Sequence, residues 1–447
     1  MYVVVLGLGE VGRAVVKALD NEGHDIVAID QRLSAIEQVE EEHDVATLQG
    51  FASSPAVLKK AGCRKADLVV AVTDNDEVNL VAAVAARSLG SRKSIARVQG
   101  TEYSGRREAI HHGLLGIDVV INPPVLLAQE IAKIAHSHGA LDVIGLVGDQ
   151  IELVELELHE TSKRVHHTIS SLTMPDDILV AAVVREGELF VPGGGDVMLP
   201  GDHIYLVGRT GHMERAEEFF TGGHEATKVC VVGGTVMAQS LADSLGRTGI
   251  ETLLFEQDKQ QAEELSEALP NATVVWGDGT DLSLLQEEQI HHYDLFCALT
   301  DHDEINLMAG LMAKRSGAQR VIAVAHRPDY SHIYRNLGID VVLSPRVVAT
   351  EHILRYVRRA SLQSLTILEG GQAEVLELVA QRDSRIVERP LEALNLPRGI
   401  LLASIVSGSD VRIPKGSDKV SPGDTVVVMA MKDCRKAVER LFQKQSL

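Results

Sequence analysis

The chain has 447 residues, 45% of them hydrophobic, and a formal net charge of −20. This length predicts three or four domains of roughly 100–150 residues each, and so acidic a surface disfavours nucleic acid and anionic lipid as partners. No apolar run approaches the roughly 20 residues of a membrane-spanning helix, and Met1 leads directly into a predicted strand. We therefore expect a cytoplasmic protein without a signal peptide and without direct membrane insertion.

Residues 1–124 alternate β-branched runs with alanine-rich stretches. The main predicted strands are residues 3–6, 25–29, 67–72, 94–98 and 118–121, and predicted helices include 10–20 and 77–88. Such alternation is typical of βαβ units around a parallel sheet. The fold class predicted for this segment is α/β, a Rossmann-like doubly wound domain.

A glycine-rich loop, G-L-G-E-V-G, follows the first predicted strand and opens the first predicted helix. Gly7 permits the tight turn, Gly9 lets the backbone approach a pyrophosphate, and Gly12 lets the helix pack on the strand. The diphosphate would lie on the first helical amides, where the helix dipole favours an anion. Asp30 would accept hydrogen bonds from ribose hydroxyls and repel a 2′-phosphate, although nearby Arg32 weakens the second inference.

The other loop residues, Leu8, Glu10 and Val11, are predicted to belong to the same site. The Glu10 carboxylate would face the phosphates of a ligand, and it would repel a triphosphate more than a diphosphate. We therefore expect NAD or NADH as the cofactor and rank ADP above ATP. The alternative is a doubly wound domain whose site is empty.

A polar cluster, T-D-N-D-E-V-N, follows the strand at 67–72, at the sheet edge where ligands of open α/β folds bind. Capping of the next helix explains part of its composition. Arg97, at the end of a later strand, is a candidate phosphate contact, with a surface ion pair as the alternative. The candidate binding residues of this region are Gly50, Thr73, Asp74, Glu77, Asn79 and Arg97.

Two further segments complete this half of the chain. Residues 125–139 follow two prolines and carry apolar residues at helical spacing, which predicts an exit helix leaving the sheet domain. Residues 140–222 contain predicted strands at 150–158, 179–184 and 203–207, separated by P-G-G-G-D and P-G-D turns. This pattern indicates a small α+β module.

The whole order is then repeated, which indicates an internal duplication. The segment V-V-V-L-G-L-G-E-V-G aligns with V-C-V-V-G-G-T-V-M-A, and T-D-N-D-E-V-N-L aligns with T-D-H-D-E-I-N-L. The second half is predicted to contain a Rossmann-like domain at 226–344, an exit helix at 345–361 and a small module at 362–447.

The second glycine loop departs from the pattern, because Thr235 replaces the close-approach glycine and Ala238 replaces the packing glycine. Alanine is tolerated there, whereas threonine is more disruptive, and Arg97 becomes Val324. We predict weaker or different binding at this second site. Its candidate residues are Gly233, Gly234, Thr235, Val236, Glu256, Gly277, Asp278, Thr300, Asp301 and Asn306.

Catalytic constellations are missing from the sequence. A dehydrogenase needs a positioned acid or base and a substrate domain, and neither is evident, so we predict a regulator and keep an NAD-dependent oxidoreductase as the alternative.

Histidine pairs at 111–112, 166–167 and 291–292 lack further ligands at zinc spacing, so no metal is expected. The four cysteines form no C-x-x-C pair and are predicted to be reduced, structural thiols. A transcription regulator is opposed by the charge and by the lack of a DNA-reading motif.

The repeated order of domains, together with G-L-G-E-V-G, V-T-D-N-D-E-V-N, I-A-R-V, L-T-D-H-D-E-I-N and the paired P-G-D turns, resembles the cytoplasmic regulatory subunits of Trk potassium uptake systems. The resemblance covers nearly the whole chain. It implies that the sheet domains are RCK (KTN) N-subdomains that bind nucleotides and that the small modules are RCK C-subdomains.

The same resemblance implies how the protein works. Four copies would form a homotetrameric ring at the inner face of the cell membrane, beneath a membrane-embedded potassium transporter or channel subunit. Nucleotide binding would change the shape of the ring and so gate the pore, with the exit helices as pairing or hinge elements. An RCK-type regulator of another cation transporter is the alternative within the same fold.

Overall fold

The structure, a computed structural model, describes residues 1–103, 116–358, 364–408 and 410–443. The chain divides into two compact units. The first unit comprises Met1–Ala132 with Thr227–Val357, and the second comprises Lys133–Ala226 with Arg358–Leu447. The histidine pair at 111–112 and the last residues of the predicted exit helix, 359–361, lie outside the described residues.

The first sheet domain is built from six parallel strands with helices between them. Its strands are β1 (Tyr2–Leu6), β2 (Asp25–Asp30), β3 (Ala46–Gln49), β4 (Leu68–Ala71), β5 (Ser94–Arg97) and β6 (Val119–Ile121). Its helices are α1 (Glu10–Asn21), α2 (Leu33–Glu42), α3 (Pro55–Lys60), α4 (Asp76–Leu89) and α5 (Pro123–His136), the last of which is the exit helix. The strand order is β3-β2-β1-β4-β5-β6, and it reverses between β1 and β4. Open α/β sheets bind ligands at such a reversal.

The composition of these elements explains their packing. The two central strands, β1 and β4, consist almost entirely of buried valine, leucine and alanine, as expected for strands covered by helices on both faces. Helix α4 buries Ala82, Ala83 and Ala86 completely. Because these side chains are small, the helix can lie close to the sheet.

The first small module is an antiparallel sheet with one helix. Its elements are β7 (Asp142–Leu146), β8 (Ile151–Glu157), β9 (Ile178–Arg185), β10 (Glu188–Phe190), β11 (His203–Arg209) and α6 (Met213–Thr221). The strand order is β10-β9-β11-β8-β7.

The second sheet domain repeats the architecture of the first. Its strands are β12 (Lys228–Val232), β13 (Glu251–Glu256), β14 (Ala272–Trp276), β15 (Leu295–Ala298), β16 (Val321–Val324) and β17 (Val341–Leu343). Its helices are α7 (Val236–Thr248), α8 (Lys259–Ala268), α9 (Leu282–Glu287), α10 (Asp303–Arg315), α11 (Ser331–Asn336) and α12 (Pro345–Arg358). The strand order β14-β13-β12-β15-β16-β17 matches that of the first domain position by position.

The second small module has the same antiparallel sheet as the first. Its elements are β18 (Ser364–Leu368), β19 (Ala373–Val379), β20 (Ile400–Ser407), β21 (Asp410–Arg412), β22 (Thr425–Met431) and α13 (Arg435–Phe442). The strand order is β18-β19-β22-β20-β21. The two modules share one apolar cluster, in which Leu153 and Val207 of the first accompany Val375 and Val427 of the second. The predicted α/β duplication with two Rossmann-like parallel sheets is confirmed.

Helix α12, the exit helix of the second half, packs on the first sheet domain. Its side chains Ala349, Ile353, Leu354 and Val357 belong to the same buried cluster as Val15 of α1. The second half of the chain therefore supplies part of the core of the first half. No helix in the described parts of the chain is long and apolar enough to cross a membrane.

Candidate functional site

The three glycines of the first loop are required for different geometric reasons. Gly7 has φ +94°, and a Cβ there would lie 2.8 Å from the backbone of Thr73. A Cβ at Gly12 would lie 1.9 Å from the carbonyl oxygen of Gly7, so a side chain at Gly12 would force the loop open. A Cβ at Gly9 would meet nothing within 4 Å. Gly9 therefore leaves open space where a ligand can approach the backbone.

Helix α1 begins at this open space. Gly9 is its N-cap residue and provides no side-chain capping bond, and Glu10 is the acidic residue of its first turn. The first amides of a helix carry a partial positive charge and need acceptors. An anion such as a diphosphate fits this position.

Asp30, at the end of β2, holds the loop from the other side. One carboxylate oxygen, Oδ2, accepts a hydrogen bond from the amide of Leu8 at 2.7 Å, and Oδ1 accepts one from the amide of Arg32 at 2.8 Å. Burial alone would raise the pKa of Asp30, but the amides of Arg32 and Leu8 and the Arg32 guanidinium outweigh burial and lower it. Asp30 is therefore a carboxylate at neutral pH, and its unused lone pairs can accept hydrogen bonds from a sugar.

A cavity of about 430 Å³ opens at the carboxyl ends of β1, β2 and β4. Its size falls within the range of small-molecule sites. The residues predicted from the sequence that line this cavity are Gly7, Gly9, Asp30, Gly50, Thr73 and Asp74. The structure thus brings four separate predicted segments together around one space.

Several lining residues were missed by the sequence analysis: Ile29, Gln31, Phe51, Ala52, Val72, Asn75 and Val78. Phe51 is an aromatic side chain that is 59% exposed, and such a ring can stack on a base. Its position directly after the turn glycine Gly50 was the available signal. Arg32, noted only for its charge, also lines the cavity.

Asn79 is not among the residues that line the cavity. This fully buried side chain accepts hydrogen bonds from the amide and hydroxyl of Thr73 at 2.8 and 2.7 Å. It also donates to the carbonyl oxygens of Thr73 and Arg97, both at 2.9 Å. Asn79 therefore fixes the loop after β4 against the end of β5, and it shapes the cavity from behind.

Six other predicted residues of the first half are also not among those that line the cavity, namely Leu8, Glu10, Val11, Gly12, Glu77 and Arg97. Glu77 accepts a hydrogen bond from the hydroxyl of Tyr103 at 2.8 Å. Burial lowers the pKa of Arg97, and its Nε is buried without a hydrogen-bond partner among the described residues. Because this donor is unsatisfied, Arg97 keeps the capacity to bind an additional acceptor.

The second loop differs at the position of the close-approach glycine. The Thr235 hydroxyl accepts a hydrogen bond from the amide of Ala238 at 3.3 Å and donates to the carbonyl oxygen of Leu299 at 2.8 Å. Thr235 thus caps α7 with its own side chain, as threonine commonly does at helix N-termini. In the first loop no side chain of the N-cap residue meets that need, which leaves these amides to water or to a ligand.

A compensating exchange keeps the second loop folded. Gly234 stands where the first loop has Leu8, and Glu256 is one methylene longer than Asp30. The longer side chain still accepts a hydrogen bond from the loop amide, at 2.6 Å from Gly234. Gln239 and Gln261 both donate to the Gly234 carbonyl oxygen, at 2.9 and 3.0 Å. The second loop is therefore tied down by the side chains of its own domain.

The remaining predicted residues of the second half repeat the supporting interactions of the first. Asn306 accepts hydrogen bonds from the amide and hydroxyl of Thr300 and donates to its carbonyl oxygen and to that of Val324. Gly277 donates its amide to the carbonyl oxygen of Glu256 at 2.9 Å. Asp278 accepts two hydrogen bonds from Thr280 within its turn. Val236 begins α7, Gly233 has φ +104°, and Asp301 is exposed.

The cysteines and histidines form no reactive constellation in the described residues. All four thiols are free, and burial raises the pKa of Cys63 to about 11, so this thiol behaves as a buried apolar group. No group of three or more potential metal-ligating side chains occurs in the parts of the chain that the structure describes.

Comparison with known proteins matches two domain families to this chain, each twice. The TrkA-N domain matches residues 3–123 and 229–345, and the TrkA-C domain matches residues 153–221 and 375–443. Together they cover most of the sequence, and they fall on the two sheets and the two modules described above.

Relatives of the same length confirm this assignment. Trk system potassium uptake protein TrkA homolog 1 of Methanosarcina mazei is 34% identical over 99% of this chain and 100% of its own. Trk system potassium uptake protein TrkA of Vibrio alginolyticus is 33% identical over 99% of both chains.

Solved structures agree on the fold. The RCK domain of GsuK has a TM-score of 0.62 at 17% identity, covering 99% of this chain and 94% of that one. The GsuK channel bound to NAD has a TM-score of 0.63 at 16% identity, covering 99% of this chain and 78% of that one. The duplicated sheets and modules and the full-length relatives lead to one conclusion: the chain belongs to the TrkA family of Trk system potassium uptake proteins.

Proposed function

We propose that this chain is the nucleotide-sensing regulatory subunit of a potassium uptake system and that it performs no chemistry of its own. One observation carries the proposal. The cavity beside Gly9 combines open space over the loop, the uncapped start of α1 and the carboxylate of Asp30. These are the three features that an adenine dinucleotide needs for its diphosphate and its ribose.

The first site is proposed to bind NAD or NADH, with ADP or ATP as competitors. Asp30 is charged at neutral pH and would accept hydrogen bonds from the ribose hydroxyls. The same carboxylate would repel a 2′-phosphate. The Arg32 guanidinium is already directed at the Asp30 carboxylate, with Nε 3.4 Å from Oδ1. The GsuK channel has been solved bound to NAD and, separately, to ADP.

Each segment of the chain is proposed to have its own role. Nucleotide binding belongs to the sheet domains, residues 1–124 and 226–344, while the exit helices, 125–139 and 345–361, act as pairing or hinge elements. The small modules, 140–222 and 362–447, complete the regulatory unit. Four copies would form a homotetrameric ring against a membrane-embedded potassium transporter subunit at the inner face of the membrane.

The physical basis of the regulation is a shift between shapes of that ring. A ligand shifts such an equilibrium only by as much as it prefers one shape over the other. A coupling of about 1–3 kcal/mol between nucleotide and partner would give graded control of uptake.

Calorimetric titration of the full chain with NAD, NADH, NADP, ADP and ATP tests the proposal. We expect binding of the non-phosphorylated dinucleotides, weaker binding of NADP, and loss of binding in Asp30→Asn. The matched variant Glu256→Gln in the second loop should leave the high-affinity binding unchanged. Equal loss in both variants would contradict the unequal sites, and turnover of NADH with a carbonyl substrate would contradict a purely regulatory role.

The potassium function needs a separate measurement. Potassium uptake is measured in cells that carry this protein and its membrane partner. Uptake should change when the chromosomal gene is replaced by one that encodes the Asp30→Asn variant. Capture of a sodium or proton transporter instead, by the tagged chain from solubilised membranes, would assign the same fold to another system.

A further inference from the structure

A cation from the second half of the chain stands at the first loop. Arg346 is the second residue of α12, and its Nη1 lies 4.0 Å from Oε2 of Glu10. Glu10 follows Gly9 directly and begins α1. The guanidinium therefore lies beside the carboxylate of the first residue of α1, the helix whose N-terminus would receive the diphosphate of the proposed ligand.

The position of Arg346 is set by packing further along the same helix. Ala349 and Ile353, one and two turns beyond it, are fully buried against the core of the first sheet domain. Arg346 itself is only 32% exposed. A side chain on a helix anchored in this way is presented to Glu10 reproducibly.

The charges explain why this arrangement matters for an anionic ligand. Glu10, 58% exposed, would by itself repel a phosphate bound at the α1 N-terminus. Arg346 offsets that charge. Their separation of 4.0 Å is longer than a hydrogen bond, so the guanidinium retains N–H donors that suit a phosphate oxygen.

The repeat offers an internal comparison. By the register of the duplication, the position of Glu10 is taken by Val236 and that of Arg346 by Pro124. The equivalent pair, Val236 and Pro124, therefore carries no charge at either position. The ion pair accompanies only the loop that keeps all three glycines, whereas the loop capped by Thr235 lacks it.

We propose that Arg346 is part of the first nucleotide site, whose ligand is an adenine nucleotide with a diphosphate. There Arg346 supplies positive charge to the phosphate group that lies nearest to Glu10. Binding in the first half is thereby tied to a helix of the second half. This inference rests on the proposed function, because it adds a residue to the same site.

Replacement of the arginine tests the inference most directly. In Arg346→Gln the charge of Glu10 is no longer offset, so affinity for ADP should fall by about tenfold, with a larger fall for ATP and a smaller one for AMP. Glu10→Gln should strengthen binding in the same order, ATP most. Arg346→Gln should cost less affinity in the Glu10→Gln background than in the wild type, because no charge at Glu10 is then left to offset. A purely structural role of Arg346 would not produce this non-additivity.

The measurement is calorimetric titration of the full chain with AMP, ADP, ATP and NAD at low and high salt. Salt should shrink the difference between wild type and Arg346→Gln, since the effect is electrostatic. Arg335→Gln, which removes an exposed arginine from α11, is the matched control and should change nothing. Arg346→Lys should retain part of the affinity.

The possible failures are distinguishable. If the wild-type chain binds none of these nucleotides, the proposed function itself is wrong. If the wild type binds them and Arg346→Gln behaves like Arg335→Gln, only the role of Arg346 is wrong. If Arg346→Gln does not fold, Glu10→Gln decides the matter, because unchanged affinities in that variant overturn the proposal.

Discussion

At the start of α7, the Thr235 side chain accepts a hydrogen bond from the helix itself, and at the start of α1 the corresponding position is Gly9, whose missing side chain leaves open space. The two loops otherwise follow the same path from strand to helix, with Gly7 and Gly233 both at positive φ. One side chain therefore separates a helix end that can receive an anion from one that is already capped.

This difference predicts the effect of Gly9→Thr. Gly9 has φ −68°, which any residue adopts, and its Cβ would meet nothing within 4 Å, so the protein should fold normally. The new hydroxyl and methyl groups would occupy the ligand's space, and NAD affinity should fall by about tenfold or more, which corresponds to about 1.4 kcal/mol. Thr235→Gly, the reverse change in the second loop, should leave that affinity intact. Calorimetry on both variants checks this, and tight binding by Gly9→Thr would contradict it.

Asp30 predicts a pH dependence of stability. Its pKa is lowered from 3.8 in the folded state, so its contribution to stability is complete above that value and is lost as the pH falls through the lower folded pKa. As the pH falls below 3.8, the melting temperature of the wild type should fall more than that of Asp30→Asn. Thermal melts followed by circular dichroism provide the measurement, with Asp25→Asn at the start of the same strand as control. Parallel curves for wild type and Asp30→Asn would refute the expectation.

At the scale of elements, α12 is the helix whose place the sequence did not reveal. Its apolar spacing predicted a helix, and the duplication suggested that it would leave its own sheet domain. Which surface it would cover depends on residues more than 300 positions away, such as Val15, which belongs to the same buried cluster as Ile353. Periodicity describes one face of a helix but not the partner of that face.

Packing of α12 leads to a prediction for Ile353→Ala. This side chain is fully buried against the first sheet domain, so its truncation should destabilise that domain by about 2–5 kcal/mol. Val347, on the same helix, is 41% exposed, and Val347→Ala should stay within about 0.5 kcal/mol of wild type. Urea denaturation, with amide hydrogen exchange in α1 as the local readout, compares the two variants. Similar losses in both would show that α12 is not part of this core.

Other features of the site were predictable because their causes are local. The strand, the glycine loop and the acid at the end of the second strand follow from short-range patterns, and Gly7, Gly9 and Asp30 do meet at one cavity. The recurrence of Asn79 as Asn306 marked this residue in the sequence. Its role was not predictable, because a buried amide that holds two loops together has the same sequence pattern as a ligand contact. Phe51 has one local signal, its position directly after Gly50, whereas only the fold shows what the side chain of Arg346 faces.

For the molecule as a whole, the two halves are not separable modules. The first sheet domain takes part of its core from α12, and the two small modules share one apolar cluster. An apolar helix face that loses its cover tends to associate with other surfaces.

A chain of residues 1–222 alone therefore lacks α12 and leaves uncovered the part of the first-domain core that α12 completes. We expect this fragment to bind a hydrophobic dye and to self-associate in sedimentation velocity experiments. A peptide of residues 345–358, added in excess, should reduce both signals, whereas a peptide of scrambled sequence should not. A monodisperse fragment without dye binding would contradict the interdependence of the halves.

The dependence on α12 also has a consequence for synthesis at the ribosome. Domains commonly fold as units while the chain emerges, N-terminal first. Here the first sheet domain cannot complete its core until residues 345–358 have left the exit tunnel. Over that interval the emerging chain carries an uncovered apolar surface, which is the kind of surface that nascent-chain chaperones protect. The order of translation, and not only the final contacts, therefore shapes how this duplicated protein reaches its native state.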